Sequence, residues 1–192
     1  MDKRTNYERF DIIKTKECFA YVFITHFTKA NDLDIHTYQH NKAYEKLLEI
    51  LEKYFGYSNV IIKKDNKGKP YLENIADIYF SISHRDFYIT IAISNLNVGI
   101  DIETYHRYNS NISKRCFTLN EQSYIDKDKK TQDRFYEIWT KKEAFIKATN
   151  NYSLLLMNKF DVFDKEIINN FRMIKTHDYI VSLYIEDAKE IA

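Results

Sequence analysis

Apolar residues change their spacing along this chain, and the spacing divides it into strands and helices. Residues 18–27 (Cys-Phe-Ala-Tyr-Val-Phe-Ile-Thr-His-Phe) are rich in β-branched and aromatic side chains, which predicts a buried strand. Over 39–55, Ala43, Leu47, Leu48, Leu51 and Phe55 gather on one side of a helix, and Gly56 reads as its C-cap. Val60-Ile61-Ile62 begins a strand, and Asp65-Asn66-Lys67-Gly68 is a turn. Ile78, Phe80 and Ile82 share one face of a further strand, and residues 88–93 form another. His84-Arg85-Asp86 lies between them, which predicts a hairpin with His84 near its tip. Residues 97–103 form the next strand, and the polar stretch from Thr104 to Lys114 reads as a loop. Thr118-Leu119-Asn120-Glu121 has the spacing of a capping box, so a short helix starts near Leu119. A long helix covers 131–149. Phe171 and Met173, then Tyr179, Val181, Leu183 and Ile185, alternate as a closing hairpin does. Strands and helices in two similar-sized halves, without a linker or repeat, predict an α+β fold.

The chain has 192 residues, the size of one domain or two small lobes. Its 44% hydrophobic and 16% aromatic content is enough for a sizeable core and excludes general disorder. A net charge of +1 argues against a sequence-independent nucleic-acid binder, which needs a basic face to displace counterions. Cys18 and Cys116 are far apart and lack metal-ligand spacing, so they build no disulfide or zinc framework, and Cys18 reads as a buried thiol. No leader-like segment and no bilayer-length apolar run stands out, so the expectation is a soluble cytoplasmic protein with no membrane partner. Glycine and proline are scarce. Gly68 and Pro70 fall in Lys67-Gly68-Lys69-Pro70-Tyr71, and Gly99 sits inside a strand, where it marks close backbone approach.

Candidate chemistry concentrates in two segments. In Val98-Gly99-Ile100-Asp101-Ile102-Glu103, alternation points Ile100 and Ile102 into a core and Asp101 and Glu103 together to the other face. In Trp139-Thr140-Lys141-Lys142-Glu143-Ala144-Phe145-Ile146-Lys147, the i,i+4 spacing lines up Trp139, Glu143 and Lys147 on one helical face. Taken alone, the first is the pattern of a solvated sheet face and the second that of a solvated helix with an ion pair. If helix and strand pack, Asp101, Glu103 and Glu143 supply three hard oxygen ligands of the kind that suits Mg²⁺, and the lysines suit phosphates.

Together, in this order, the two segments resemble the signature of the 4′-phosphopantetheinyl transferases, in the larger Sfp-type branch named for the surfactin-synthetase activator. Lys67-Gly68-Lys69-Pro70 is similar to the family's G-K-P element, Phe80-Ser81-Ile82-Ser83-His84 to its F-x-x-S-H element, and Phe117-Thr118-x-x-Glu121 to its F-x-x-x-E stretch. Strict matching runs from Lys67 to Lys147. The resemblance implies two pseudo-symmetric α/β halves, 1–96 and 97–192, with the active site between them, in a monomer. It implies transfer of the phosphopantetheine arm from coenzyme A to a serine of an apo acyl or peptidyl carrier protein, releasing adenosine 3′,5′-bisphosphate. Mg²⁺ would be held by Asp101, Glu103 and Glu143. Glu143, or a water it holds, would take the serine proton. Lys147 and Lys142 would steady charge on the β-phosphate and leaving group. Lys69, Ser83, His84 and Arg85 would contact coenzyme A phosphates, and Trp139 would anchor the helix by packing. Relatives place Lys and Arg around the first helix to hold the 3′-phosphate, whereas this chain offers Lys29, His36, His40, Lys42 and Lys46 and no Arg there. Arg85 stands where relatives carry a small residue. His106, Arg107, Lys114 and Arg115 with Phe117 suit either docking of an acidic carrier helix or a solvated loop. Two other classes fit the same residues: a different Mg²⁺-dependent phosphodiesterase-type enzyme, and a non-catalytic homologue that binds a carrier protein.

Overall fold

The computed structural model describes residues 7–27, 35–127, 130–150 and 154–186; Lys29 and the side chain of His36 lie outside what is described. In chain order the elements are β1 (Tyr7–Lys14), β2 (Phe19–His26), α1 (Ile35–Phe55), β3 (Ile62–Lys64), β4 (Pro70–Leu72), β5 (Tyr79–Arg85), β6 (Tyr88–Ser94), β7 (Val98–Thr104), α2 (Ser110–Cys116), α3 (Leu119–Asp126), α4 (Thr131–Thr149), β8 (Phe171–Lys175) and β9 (Tyr179–Ile185). A four-stranded antiparallel sheet runs β1-β2-β6-β5, and a three-stranded antiparallel sheet runs β7-β9-β8. Strands β3 and β4 form a separate hairpin.

Alternation along the strands builds the layers. On the first sheet, Phe23, Phe80, Ile89, Ile91 and Ile93 face α1, where Ala43, Leu47, Ile50 and Leu51 meet them. The other face contributes Val22, Ile24 and Ala92 to a central core shared with Val98, Ile100, Ile102, Val181 and Leu183 of the second sheet. The far face of the second sheet packs Ile180 and Tyr184 against α3 and α4 through Ile125, Ile138, Ala144 and Ala148. The order is helix, sheet, sheet, helix. Each fully buried Leu or Ile contributes about 1.5–3 kcal/mol.

Two close approaches fix the joint between the sheets. Edge strand β5 packs along edge strand β7, joined through serine side chains: the Ile100 amide donates to Ser81 Oγ (3.1 Å) and Ser83 Oγ donates to Asp101 Oδ1 (2.8 Å). At Gly99, an added Cβ would stand 2.0 Å from the Ala144 carbonyl oxygen and 2.5 Å from the Ala148 nitrogen. Helix α4 therefore lies directly on bare strand backbone, as the glycine inside the strand predicts.

Several local expectations change. The loop predicted over 104–114 runs into α2, capped by the Asn109 side chain, which accepts from the Asn111 amide. Strand β1 carries too little apolar alternation to be read from sequence. Helix α1 begins at Ile35, and its Leu48 is exposed while Ile50 takes the core position. Strand β3 begins only at Ile62. Cys18 is half-buried. Gly56 ends α1 with φ +76°, as a C-cap requires.

Candidate active site

Helix α4 carries Trp139, Glu143 and Lys147 on successive turns, and Gly99 lets that stripe approach β7. Strand β7 turns Asp101 and Glu103 toward it, opposite to Ile100 and Ile102. Lys147 Nζ donates to Asp101 Oδ1 (2.7 Å) and to Ser83 Oγ (3.0 Å), closing a triangle among β5, β7 and α4 with the Ser83–Asp101 bond. Two residues further along the strand, Trp139 Nε1 donates to Glu103 Oε1 (3.2 Å). Trp139 thus does more than pack, although it also lies parallel to Phe135 at 6.2 Å.

Burial and the neighbouring Asp101 charge push the Glu103 carboxyl up to about 7, against the pull of Arg85, Trp139 and Lys147. Burial and Asp101 raise Glu143 as well, and Lys147 opposes them. Arg85 Nε lies 3.1 Å from Glu103 Oε2 without hydrogen-bonding geometry, so that oxygen, like Asp101 Oδ2, is buried with no hydrogen-bond donor. Among the described residues, no three His, Cys, Asp or Glu side chains stand close enough together to hold an ion. The donor set still suits one: these are carboxylate oxygens, two are buried without donors, and the pKa values of Glu103 and Glu143 are raised by burial and by the Asp101 charge, both of which a divalent cation would offset.

A hollow of about 180 Å³ beside this cluster is lined by His40 and Tyr44 of α1, by Lys69, and by Ser81, His84 and Lys147. A larger one, about 830 Å³, lies past Lys69, Pro70 and Phe80, which line both, and reaches Asn97, Asn150 and Glu186. Lys69 is engaged structurally: its Nζ donates to Asn97 Oδ1 (2.9 Å) and to the Ala148 carbonyl (2.8 Å), tying the β3–β4 hairpin to the end of α4. Burial lowers its pKa. Around the first helix, Lys42 pairs with Glu45 (2.6 Å), and the buried Lys46 pairs with Glu49 (2.5 Å).

Two sequence expectations are corrected. Lys142 does not face the site. Its side chain is fully buried against Glu121 Oε2 (2.9 Å) and donates to the carbonyls of Met157 (2.5 Å) and Phe160 (2.7 Å). Helical geometry separates it from Glu143 by about 100°. Its partner Glu121 completes the capping box with Thr118 and also accepts from the Val162 amide (2.9 Å). Phe117 is only 2% exposed and packs in the core beneath α4, so it anchors nothing outside the molecule. Arg85, expected on phosphate, lies against Glu103 here.

Sequence reasoning also missed Ser81 as a joint residue and a knot at the β5–β6 turn. There Asp86 (φ +50°) accepts from Thr104 Oγ1 and lies 3.1 Å from His106 Nε2, while its carbonyl accepts from Gln39 Nε2 (2.6 Å). These pairings join a turn, a helix, a strand and a loop that are distant in sequence, and no local spacing signals them.

Residues 97–187 match the family model of the 4′-phosphopantetheinyl transferase superfamily. A 4′-phosphopantetheinyl transferase, gsp, of Aneurinibacillus migulanus is 39% identical over 106 residues, covering 53% of this chain and 43% of the relative. The 4′-phosphopantetheinyl transferase Sfp of Bacillus subtilis (strain 168) is 34% identical over 108 residues, 55% of this chain and 48% of the relative. The human L-aminoadipate-semialdehyde dehydrogenase-phosphopantetheinyl transferase is 35% identical over 113 residues, 48% of this chain and 35% of the relative. In each case the similarity spans less than half of the relative's length.

Proposed function

We propose that the chain is a 4′-phosphopantetheinyl transferase, of the superfamily whose model its residues 97–187 match, and that it moves the phosphopantetheine arm of coenzyme A onto a serine of an apo carrier protein. The observation that carries the reading is the cluster of Asp101, Glu103 and Glu143 beside Lys147, at the joint of two sheets, with two buried carboxylate oxygens lacking donors. The serine oxygen attacks the β-phosphorus, the bond to the bridging diphosphate oxygen breaks, and adenosine 3′,5′-bisphosphate leaves with that electron pair.

Glu143 takes the serine proton, directly or through a water, and its raised pKa makes it a better acceptor than a solvated carboxylate. Lys147 shifts from Asp101 toward the charge that develops on the transferring phosphate. Ser83 holds Asp101 in orientation, and His84 and Lys69 face the diphosphate from the smaller hollow. Asp101, Glu103 and Glu143 would hold Mg²⁺, which supplies neutralisation of the diphosphate charge. Lys142 has no part in this chemistry.

We read residues 1–96 and 97–192 as two pseudo-symmetric halves. In the first, β2, α1, β5 and β6 come in that order, with the β3–β4 hairpin inserted after α1, and assemble as β2-β6-β5; in the second, β7, α4, β8 and β9 come in that order and assemble as β7-β9-β8. That shared order supports the reading. The proposal includes a monomer acting in the cytoplasm without nucleic acid or membrane; among the described residues no helix is long and apolar enough to cross a membrane.

The test is mass spectrometry of apo acyl and peptidyl carrier proteins incubated with the chain, coenzyme A and Mg²⁺. One phosphopantetheine should be added per carrier, and Asp101→Ala or Glu143→Ala should abolish the addition with the fold intact. A folded wild-type chain that modifies no carrier in a varied panel would overturn the proposal.

A further inference from the structure

Two cations already occupy the carboxylates of this site. Lys147 holds Asp101 at 2.7 Å and is 20% exposed, whereas Arg85 lies against Glu103 at 3.1 Å and is 45% exposed. When all are ionised, three carboxylates against two cations leave one net negative charge, a weak attraction for a divalent ion. Arg85 differs from Lys147 in its freedom. It ends β5, opposite Tyr88 and one residue before the turn, so its guanidinium can swing without moving the strand. It contacts Glu103 through Nε in poor hydrogen-bond geometry, and that oxygen keeps no other donor. A planar guanidinium finds a better partner in a diphosphate, whose paired oxygens match its fork. Asp86, the next residue, adds a negative charge near Arg85, although its carboxylate is engaged by Thr104 and His106.

We propose that Arg85 makes divalent-ion binding conditional on the diphosphate: it lies on Glu103 until a polyanion draws the guanidinium away, so ion and diphosphate bind together and not independently. The inference rests on the proposed function and adds to it a coupling between two ligands of the same site. Couplings of this kind amount to about 5–150-fold in affinity, and they are reciprocal.

The experiment measures Mn²⁺ binding by electron paramagnetic resonance of the free ion, with and without coenzyme A. It compares the wild type, Arg85→Gln and Lys14→Gln. Lys14 sits on β1, at the opposite edge of the sheet, and controls for loss of one positive charge. Thermal unfolding confirms that each variant folds. Wild type should bind Mn²⁺ weakly alone and at least ~10-fold more tightly with coenzyme A. Arg85→Gln should bind Mn²⁺ more tightly alone and lose most of the coupling, and Lys14→Gln should behave as wild type. Equal Mn²⁺ affinity of Arg85→Gln and wild type without coenzyme A, or an unchanged coupling factor, overturns the inference while leaving the transferase reading intact. Failure of folded wild type to bind coenzyme A at all overturns both.

Discussion

Lys147 lies five positions along the helix from Lys142, which turns their side chains about 140° apart. Lys147 meets Asp101 at the site, and Lys142 meets Glu121 in the core. Burial penalises both charges of the inner pair, lowering the pKa of Lys142 and raising that of Glu121. Lys142→Met would strand the Glu121 carboxylate and should cost about 3–5 kcal/mol in urea unfolding. Lys147→Ala, at a partly open position, should unfold near the wild-type midpoint and lose transfer. A Lys142→Met protein that keeps full stability would remove the structural role. Glu103 gives a pH signature. Its native pKa of about 7 exceeds the ordinary glutamate value of 4.5, so between these pH values the native state keeps a proton that the unfolded chain has lost. Its contribution is therefore intact below about pH 4.5 and is lost as pH rises through about 7, a loss of order 3 kcal/mol. In a chelator, Glu103→Gln should flatten this fall and melt higher than wild type at pH 8. Parallel melting curves for both proteins from pH 4.5 to 8 would contradict it.

At the scale of elements, β7 and α4 pack backbone against backbone, because Gly99 carries no side chain to hold them apart. Gly99→Ala must push α4 off the strand. It should cost about 1–3 kcal/mol or more and lower transfer more than a matched core substitution, since it moves Glu143 and Lys147 away from Asp101. Denaturation with steady-state kinetics checks both effects. This unit was also the most legible part of the chain. The two-residue alternation of Ile100 and Ile102 and the four-residue spacing of Trp139, Glu143 and Lys147 each follow from local geometry. Strand β1 was not legible, because a sheet edge with a register shift between Asp11 and Ile13 exposes half of its residues and leaves little alternation. Helix α2 was hidden for a similar reason: it buries Ser113 and no large apolar stripe. Within the site, the carboxylate face was readable from β7 alone. The contacts of Ser83, Arg85 and Lys69 were not, since each reaches an element distant in sequence.

The whole molecule depends on the core between its sheets. Val98, Ile100, Ile102, Val181, Leu183 and Ile185 present one apolar face, and the first sheet covers it with Val22, Ile24 and Ala92. Residues 97–192 expressed alone would expose that face and should aggregate or bind a hydrophobic dye; a soluble, cooperatively folding fragment would show that the halves are independent. The connection between them is three residues, and its side-chain hydrogen bonds divide by half, except that Asn97 Oδ1 accepts from Lys69 Nζ across them (2.9 Å). Asn95 accepts from the Phe19 amide (2.8 Å) and donates to the Glu17 carbonyl (2.7 Å), both in the first half. Asn97 donates to the Ala148 carbonyl (2.9 Å) and to Glu186 (2.8 Å), both in the second. Between β5 and β7 the join uses serine hydroxyls in place of a backbone ladder. A chain severed after Leu96 would therefore keep every sheet whole. Its two pieces, made together, carry the means to find each other, and recovered transfer would then report that they have met.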